Sequence, residues 1–460
     1  MTPRGTLLGC AVVLAACSSP AATSIGGATA GDAGGGEGGA EASVCGPPDV
    51  WCDGTCQPQS VAYCGARCTP CGAPASSHGS ADCLDGMCVR SCQGDYVPCG
   101  AAGCCGAASS GDVLAIAVGG DTSCAVTQLG APLCWGDGGY GQLGNGMTNT
   151  QSSTPVPVGH LSNVGSISVG AHHVCAVKVG GAAACWGDDQ QGQLGDGQRT
   201  PNPRPVTPSG LGTGVVAIAA GGAHTCAILS SGGVVCWGDD GYGQLGDGAP
   251  QAQSLVPAAV SGLSSGVAAI AAGDAFTCAA TTTGAVKCWG DGSHGQLGGP
   301  TSSSTPVAVT LPAPATALAL GAQHACALTP DGRVLCWGDD QANELGTGAA
   351  GKTSAAAVAV PGLPVIVAIA AGGQETCALD QGGAVHCWGA DPVGDVGLGP
   401  AGPAVVPSLA SDVAAIGVVG GHACAVTSGG APKCWGGNGA GELGDGTTID
   451  SWVPVDVQGL

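Results

Sequence analysis

Short apolar runs, each about the length of one β-strand, recur through residues 112–460. The clearest block begins with Val215–Ala220, in which every residue is apolar, and continues with His224–Leu229, which is apolar after a polar start. A glycine-containing turn then leads to residues 234–237, and a run with a proline, residues 256–260, closes the block. No helical period extends over a useful length, and proline within a strand is typical of a sheet edge. The pattern predicts four short strands in each block.

The same block occurs seven times. In every copy a cysteine is followed ten positions later by a second cysteine and then by a tryptophan, and successive first cysteines lie 51, 51, 52, 48, 51 and 47 residues apart. Such a repeat predicts an array of one supersecondary unit. A linear array would need atypical polar units at its ends. Because the first and last copies look ordinary, we predict an all-β closed radial array.

The constant cysteine spacing has a simple geometric meaning. If Cys226 and Cys236 face each other across a hairpin, Ile228 faces Val234 and three residues form the turn, a common hairpin length. Cysteines opposed at a non-hydrogen-bonded pair are close enough for a disulfide. The tryptophan after each second cysteine points to the other side of the sheet, where it packs one repeat on the next. We therefore predict the disulfides Cys124–Cys134, Cys175–Cys185, Cys226–Cys236, Cys278–Cys288, Cys326–Cys336, Cys377–Cys387 and Cys424–Cys434.

This repeat resembles that of the regulator-of-chromosome-condensation family. The third copy carries the signature as Gly-Ala-His-Thr-Cys-Ala-Ile at 222–228, Cys-Trp-Gly at 236–238 and Gly-Gln-Leu-Gly at 243–246. The resemblance implies the fold of the family, a seven-bladed β-propeller, for residues 111–460. Three copies depart from the signature: the sixth has Asp-Val-Gly-Leu-Gly at 395–399, and the fifth and seventh place Glu344 and Glu442 in the glutamine position.

Residues 1–17 have the features of a lipoprotein signal peptide. Arg4 precedes an apolar run too short to cross a bilayer as a helix. The run ends Leu-Ala-Ala-Cys, which resembles the lipobox of bacterial lipoproteins; an ordinary cleaved signal peptide is the alternative. We predict that Cys17 carries a lipid anchor and that palmitate is one of its acyl chains. Because Ser18 follows it, we predict an outer-membrane anchor, with the protein facing the periplasm or the cell surface.

Two segments separate this signal from the repeats. Residues 18–44 are mostly Gly, Ala and Ser, which predicts a flexible tether. Residues 45–110 contain twelve cysteines and few aliphatic side chains, which predicts a small disulfide-rich module whose pairing does not follow from the spacing. Cys68 and Cys71 could belong to a zinc knuckle, but a second CxxC at knuckle spacing is missing and an oxidising compartment favours disulfides.

Composition narrows the class of partner. Twenty-six of the 28 cysteines remain once Cys10 and Cys17 are set aside, an even number that suits complete pairing in an exported protein. The 32 acidic residues against 10 basic ones give a net charge of -22, which repels phosphate backbones and disfavours nucleic acid. The nuclear exchange activity of the eukaryotic type member is therefore not expected here. Cationic partners and calcium stay compatible with this charge.

One position in each repeat, two residues before the first cysteine, is a candidate site. On a strand this residue shares a face with its cysteine. The set could line a central channel as metal ligands, or each member could close a hydrogen bond within its own blade. We predict the structural role, because threonine and phenylalanine interrupt the ring. The seven residues are Thr122, His173, His224, Phe276, His324, Glu375 and His422.

Aspartates in the loops after each Trp-Gly are a second candidate. Carboxylates beside glycines could hold calcium, but their spacing fits no EF-hand, and aspartate also stabilises turns through its own backbone. We predict the turn role for residues 188–189, 239–240 and 339–340, and for Asp196, Asp247 and Asp445.

Catalytic signatures are scarce. Residues 262–266 match the nucleophile-elbow string, but they fall in a turn between predicted strands with no following helix. We predict no catalytic residue, no metal and no cofactor, and hence a non-enzymatic, outer-membrane-tethered binding protein. Its recognition face would be formed by the variable loops 147–154, 198–204 and 249–254, and its partner would be a protein or a cell-envelope polymer.

Two other functions are compatible with the sequence. An exported β-lactamase inhibitor is similar to the same propeller family, which suggests an inhibitor of an exported enzyme. Propellers also host enzymes, so a hydrolase or lyase with acidic residues at the channel mouth is the third hypothesis. Histidines or carboxylates that converge in one pocket would favour the enzyme.

Overall fold

The computed structural model describes residues 112–249, 253–390 and 402–460, together with the backbone of eight short strands between residues 49 and 107. These strands pair in sequence order into four antiparallel hairpins: β1 (Asp49–Cys52), β2 (Thr55–Pro58), β3 (Tyr63–Cys64), β4 (Thr69–Pro70), β5 (Gly79–Leu84), β6 (Met87–Cys92), β7 (Tyr96–Cys99) and β8 (Gly103–Ala107). Ala15–Ser109 forms one compact unit of the chain, and Ser110–Leu460 belongs to another. The predicted lipid site Cys17, the tether, the cysteine pairing within 45–110 and the degenerate loop at 395–399 lie outside the described residues.

Seven four-stranded antiparallel sheets form a seven-bladed β-propeller, as predicted. Each blade is one continuous segment, with its strands in sequence order from first to fourth. Blades 1 to 3 comprise β9 (Val113–Gly119), β10 (Thr122–Thr127), β11 (Pro132–Gly138) and β12 (Thr150–Pro157); β13 (Val164–Val169), β14 (His173–Lys178), β15 (Ala183–Gly187) and β16 (Asn202–Val206); β17 (Val215–Ala220), β18 (His224–Leu229), β19 (Val234–Gly238) and β20 (Ser254–Ala259). Blades 4 and 5 comprise β21 (Val267–Ala272), β22 (Phe276–Thr281), β23 (Val286–Asp291) and β24 (Ser302–Val309); β25 (Ala317–Leu320), β26 (His324–Leu328), β27 (Val334–Gly338) and β28 (Ser354–Ala359). Blades 6 and 7 comprise β29 (Ile366–Gly372), β30 (Glu375–Asp380), β31 (Val385–Gly389) and β32 (Ala404–Val405); β33 (Val413–Val419), β34 (His422–Thr427), β35 (Pro432–Gly436) and β36 (Ser451–Asp456), with a short 3-10 turn at Pro407–Leu409.

The hairpin between the second and third strands has the geometry that the cysteine spacing predicts. In blade 3, Cys226 pairs with Cys236 and Ile228 with Val234, and the three-residue turn contains Gly232 at a φ of 77°. This left-handed conformation favours glycine. The structure joins all seven of the predicted cysteine pairs by disulfides, with Cα–Cα distances of 4.0–4.1 Å.

The hydrophobic core is divided among the seven junctions between blades. Each of seven buried clusters contains the disulfide of one blade and the tryptophan of the next: Cys175, Cys185 and Trp237 share one cluster. The same arrangement joins blade 7 to blade 1, where Cys424 and Cys434 pack with Trp135. The ring therefore closes by side-chain packing of the same kind as every other junction, without exchange of a strand between the ends of the chain.

Candidate recognition face

The strand directions give the propeller two different faces. Because the strands of a blade are antiparallel, the turn from the first to the second strand and the long loop from the third to the fourth emerge at the same end. We call this side the loop face. The opposite side, which carries the turns between the second and third strands and the connections between blades, is the hairpin face. The Gly-Gln-Leu-Gly segments lie on the loop face.

Charge is distributed very unequally between these faces. The hairpin face is close to balanced, with Asp112, Asp331, Asp380, Asp412 and Asp456 against Lys178, Lys287, Arg333 and Lys433. The loop face has three basic residues among those described, which are Arg199, Arg204 and Lys352. Against them stand nine exposed or half-buried carboxylates, Asp121, Asp137, Asp196, Asp239, Asp247, Asp274, Asp291, Asp445 and Asp450, and eight buried ones, Asp188, Asp189, Asp240, Asp339, Asp340, Glu344, Glu375 and Glu442.

Buried side chains hold the acidic loops in place. In blade 2, Gln193 Nε2 donates to Asp188 Oδ2 at 2.9 Å, and Gln193 Oε1 accepts from the backbone N–H of Gln191 at 2.9 Å. Asp189 Oδ1 accepts from the N–H of Leu194 at 2.9 Å. Equivalent glutamine–aspartate bonds occur in blades 1, 3 and 4 at 2.8, 2.7 and 3.1 Å. The turn role predicted for these aspartates is thus the one that the structure gives them, and it makes the loops rigid.

The glutamates that replace this glutamine keep half of its bonding. Glu344 and Glu442 accept from the N–H groups of Ala342 and Ala440 at 2.7 and 2.8 Å. A carboxylate cannot donate the second bond that the glutamine makes. Burial raises the pKa of both glutamates, and the Asp339 carboxylate adds to this effect at Glu344.

The backbone carbonyl of the same glutamine or glutamate joins neighbouring blades. In six junctions it accepts from the indole N–H of the tryptophan on the next blade, at 2.7–2.9 Å. For Trp435 the equivalent carbonyl falls in residues 391–401, outside the described part of the chain. The following glycine leaves room for the indole: a Cβ on Gly246 would lie 2.6 Å from Trp289 Nε1.

The candidate histidines lie in these junctions and not around the channel. Each is buried, and its Nε2 is 2.7–2.9 Å from a hydroxyl oxygen on the next blade. Our expectation that each closes a hydrogen bond within its own blade was therefore wrong, although the role is structural. The pairs are His173–Thr225, His224–Thr277, His324–Thr376 and His422–Ser123.

The hydroxyl determines which ring nitrogen of the histidine carries the proton. Thr277 Oγ1 donates its single proton to the carbonyl of Gln244 at 3.1 Å, so it accepts from His224 Nε2–H at 2.8 Å. Thr225 and Ser123 make the same pair of bonds at their junctions. Burial lowers the pKa of His224, His324 and His422 from 6.5 to about 4, and that of His173 to about 3. These imidazoles are neutral; their Nε2 atoms bond across the junctions, and Nδ1 of His173 and of His224 is buried without a hydrogen-bond partner in the described residues.

Where the histidine is missing, its hydroxyl partner is altered as well. Phe276 lies at the histidine position of blade 4, and the residue across the junction is Ala325. Phe276 contacts Gly273 just as His224 contacts Gly221: a Cβ on either glycine would lie 2.3 or 2.5 Å from the ring. The other two departures, Thr122 and Glu375, lie opposite Val174 and Ala423. The two positions thus act as one paired unit.

The central channel is lined mainly by small and apolar residues. Its cavity of ≈ 260 Å³ is lined by the glycine-rich ends of the first strands, and Asp274 is the one ionisable side chain among the described lining residues. In the part of the chain that the structure describes, no group of three or more His, Cys, Asp or Glu side chains could hold a metal ion. Residues 262–266 connect β20 to β21 without a helix, as predicted.

The predicted recognition loops are less free than their variable length suggests. Residues 150–154 already belong to β12, and residues 202–204 to β16; residues 250–252 lie outside the described part. Backbone bonds from the preceding blade also cover these segments, for example from Gly146 N–H to the carbonyl of Pro203 at 2.9 Å. Residues 147–149 and 198–200 of the predicted loops remain exposed, and Asp121 and Asp274 add exposed carboxylates nearer the channel mouth.

Comparisons with known proteins agree with this architecture. Residues 199–460 match the RCC1-like domain, and residues 130–177 match the regulator of chromosome condensation (RCC1) repeat. The E3 ubiquitin-protein ligase HERC2 of Homo sapiens is 36% identical over 189 residues, which is 39% of this chain and 4% of HERC2. The ultraviolet-B receptor UVR8 of Arabidopsis thaliana is 31% identical over 191 residues, 40% of this chain and 43% of UVR8. The match spans less than half of either relative.

Solved structures share the fold. Human WBSCR16 superposes with a TM-score of 0.64 at 20% identity, covering 72% of this chain and 94% of WBSCR16. Prp20p from Saccharomyces cerevisiae superposes with a TM-score of 0.63 at 23% identity, covering 71% and 85%. No helix in the described residues is long and apolar enough to cross a membrane. Since the domain match covers more than half of the sequence and the blades carry the family's signature, the chain belongs to the RCC1-like domain family.

Proposed function

We propose that this chain is a non-enzymatic binding protein whose loop face recognises a positively charged protein. The observation that carries the proposal is the charge difference between the two faces, with nine solvent-accessible carboxylates and three basic residues on the loop face. A surface of one sign attracts partners of the opposite sign and speeds their encounter. Anionic cell-envelope polymers and nucleic acid are repelled by the same surface.

The rigidity of the loops supports this role. Binding is weakened when flexible segments must be ordered, and the buried glutamine–aspartate bonds already order these loops in the free protein. Asp121 and Asp274 are exposed near the channel mouth, and their carboxylates make no hydrogen bond within the described residues. They are therefore available to a lysine or arginine of a partner.

The enzyme and inhibitor hypotheses fare differently. A hydrolase or lyase would need converging histidines or carboxylates, but the four histidines are separated among the junctions, where each is hydrogen-bonded to a hydroxyl of the next blade. An inhibitor is a special case of the present proposal, in which the bound protein is an exported enzyme. Prp20, which shares the fold, has been solved bound to Kap60. We further propose that the lipid on Cys17 and the tether 18–44 hold the propeller at the outer membrane.

Reversal of charge on the loop face tests the proposal. We expect the double variant Asp121→Lys/Asp274→Lys to capture roughly tenfold less of the partner from native envelope extract than the parent does, or less still, because attraction becomes repulsion. The measurement is quantitative mass spectrometry of proteins captured by the full chain and by the variant.

A matched variant on the other face supplies the control. Asp331→Lys/Asp456→Lys makes the same change of net charge at two exposed positions of the hairpin face, and we expect it to capture the partner as well as the parent does. Equal loss from both variants would mean that net charge, not the loop face, governs capture. Loss from the hairpin-face variant alone would contradict the proposal.

A further inference from the structure

The outer edges of the blades differ at one position. In each blade the fourth strand pairs with the third, and its other side is an edge of the sheet. The residue just before the one that pairs with the second cysteine is proline in six blades and alanine in blade 5. The seven residues are Pro155, Pro205, Pro257, Pro306, Ala357, Pro403 and Pro454.

This position decides whether the edge can pair with another strand. In blade 5 the N–H of Val360 donates to the carbonyl of Val334 in the third strand at 3.0 Å. Because bonding directions alternate along a strand, the N–H and C=O groups of Ala357 and Ala359 point away from the sheet. A proline in place of Ala357 has no N–H to present there, and proline on an edge strand hinders edge-to-edge pairing. Six blades carry this protection, and blade 5 does not.

A second difference leaves β28 more open than most other fourth strands. In four junctions a loop glycine of the preceding blade donates its N–H to a carbonyl of the fourth strand at 2.8–3.0 Å, as Gly248 does to Ser304. Between blades 4 and 5 this glycine position is Pro300, which has no N–H to donate to Ala355. The sequence of β28, Ser-Ala-Ala-Ala-Val-Ala, also contains no charge. Its small side chains let another backbone come close.

We propose that β28 pairs antiparallel with β28 of a second copy of the chain, so that two blades form one continuous sheet across a twofold axis. The strand is self-complementary. When Val358 lies opposite Val358 of the second copy, the N–H of Ala357 donates to the Ala359 carbonyl of that copy, and the N–H of Ala359 donates to its Ala357 carbonyl. The twofold axis repeats both bonds, so the outward backbone groups of the two alanines are satisfied in each copy.

Charge favours this antiparallel pairing over a parallel one. Each fourth strand runs from the loop face to the hairpin face, so antiparallel pairing turns the two loop faces to opposite sides of the dimer. The acidic surfaces then do not meet, and each lies beside the nearly balanced hairpin face of the other copy. Both loop faces stay free for a positively charged partner, so dimer formation and partner binding are independent properties.

The small size of the contact sets the expected affinity. Because β28 has six residues, one strand pair buries less than the roughly 1,200–2,000 Å² of a standard interface, which is typical of weak, transient complexes. We therefore expect a Kd of about 10–100 μM for the dimer.

Sedimentation equilibrium of the purified full chain tests the contact. We expect a monomer–dimer equilibrium at physiological ionic strength, where salt screens the net charge of -22. Ala357→Pro should weaken the dimer at least about tenfold, because an outward N–H is lost from each copy. The variant copies the other six blades, so its Tm should equal or exceed that of the parent. If it fails to fold, Ala359→Asp, which copies Asp456 of blade 7, should prevent pairing by charge repulsion.

Opening a second edge supplies the converse test. Pro257→Ala in blade 3 leaves alanine at both outward positions, 257 and 259, as in blade 5. A chain with two open edges should form assemblies larger than a dimer. A parent that stays monomeric at about ten times the expected Kd would overturn the proposal, and the edge would then be free for a strand of another protein. Equal self-association of the parent and Ala357→Pro would also overturn it, because the contact would lie elsewhere.

Discussion

Reduction of the seven hairpin disulfides is expected to unfold the propeller at room temperature without denaturant. Each bond closes a short loop, with a sequence separation of 10 residues, and loop entropy assigns it about 3 kcal/mol. Seven such contributions sum to about 20 kcal/mol, more than the roughly 5–15 kcal/mol that stabilises an ordinary domain. Tryptophan fluorescence with and without a phosphine reductant measures the result, since seven tryptophans are buried in the junctions.

Removal of a single disulfide is the control. Cys226→Ala/Cys236→Ala should leave a folded ring that has lost about 3 kcal/mol of unfolding free energy, measured by denaturant titration. A fully reduced chain that keeps its buried tryptophans and its Tm would contradict this view of the hairpins. In that case, packing in the junctions alone would be sufficient to hold the ring.

Acidification from pH 6.5 towards pH 4 is expected to destabilise the ring through its buried histidines. Burial lowers the pKa of His224 from 6.5 to about 4. Between these pH values the histidine therefore binds a proton in the unfolded chain but not in the folded chain. The stability that each such histidine contributes is complete above pH 6.5 and is lost as the pH falls, by about 3 kcal/mol at pH 4. Asp189 and Asp240, whose pKa values are raised to about 7, act in the opposite direction.

A variant taken from the chain itself isolates one histidine. The double variant His224→Phe/Thr277→Ala copies the Phe276–Ala325 junction. All other titratable groups are the same in the variant and the parent, so their contributions to the pH dependence cancel when the two proteins are compared. The parent's advantage should shrink by about 3 kcal/mol between pH 6.5 and pH 4, measured by denaturant titration at each pH. Thr277→Ala alone should cost about 1–3 kcal/mol at neutral pH, because His224 Nε2–H loses its acceptor. A difference between parent and double variant that does not change with pH would contradict the assignment.

The blades were predictable because their determinants are local. The bounds of β17 and β18 coincide with the apolar runs, and the ten-residue spacing gives the register of Cys226 and Cys236 across one hairpin. The prediction of the fourth strand began two residues late, because Ser254 pairs with Gly238 across a bulge in the third strand that no apolar pattern marks.

The partners of the histidines were not predictable by the same reasoning. His224 and Thr277 are 53 residues apart, and His422 and Ser123 are 299 apart, so each pair depends on how the blades are placed in the ring. A signal was nevertheless present: every histidine is matched by a hydroxyl residue one position later in the next repeat. Comparison of each histidine with the following position in the next repeat would have found this signal. Comparison of the same position in all seven repeats does not reveal it.

The surroundings of the second side-chain atom of Asp189 lay beyond sequence reasoning for a different reason. Asp189 and Asn438 look interchangeable as turn residues, and both accept from a leucine N–H. Only the second atom of each side chain distinguishes them, and its surroundings depend on the path of a loop that has no regular structure.

Protection of carboxylates on partner binding tests the central claim, recognition through the loop face, most directly. Exposed aspartates are labelled with a carbodiimide and an amine, and labelling of the purified full chain is compared with that of the chain bound to its captured partner. We expect protection at Asp121, Asp274 and Asp450 on the loop face, and unchanged labelling at Asp331, Asp412 and Asp456 on the hairpin face. Protection of the hairpin-face aspartates with the loop face still fully labelled would contradict the account.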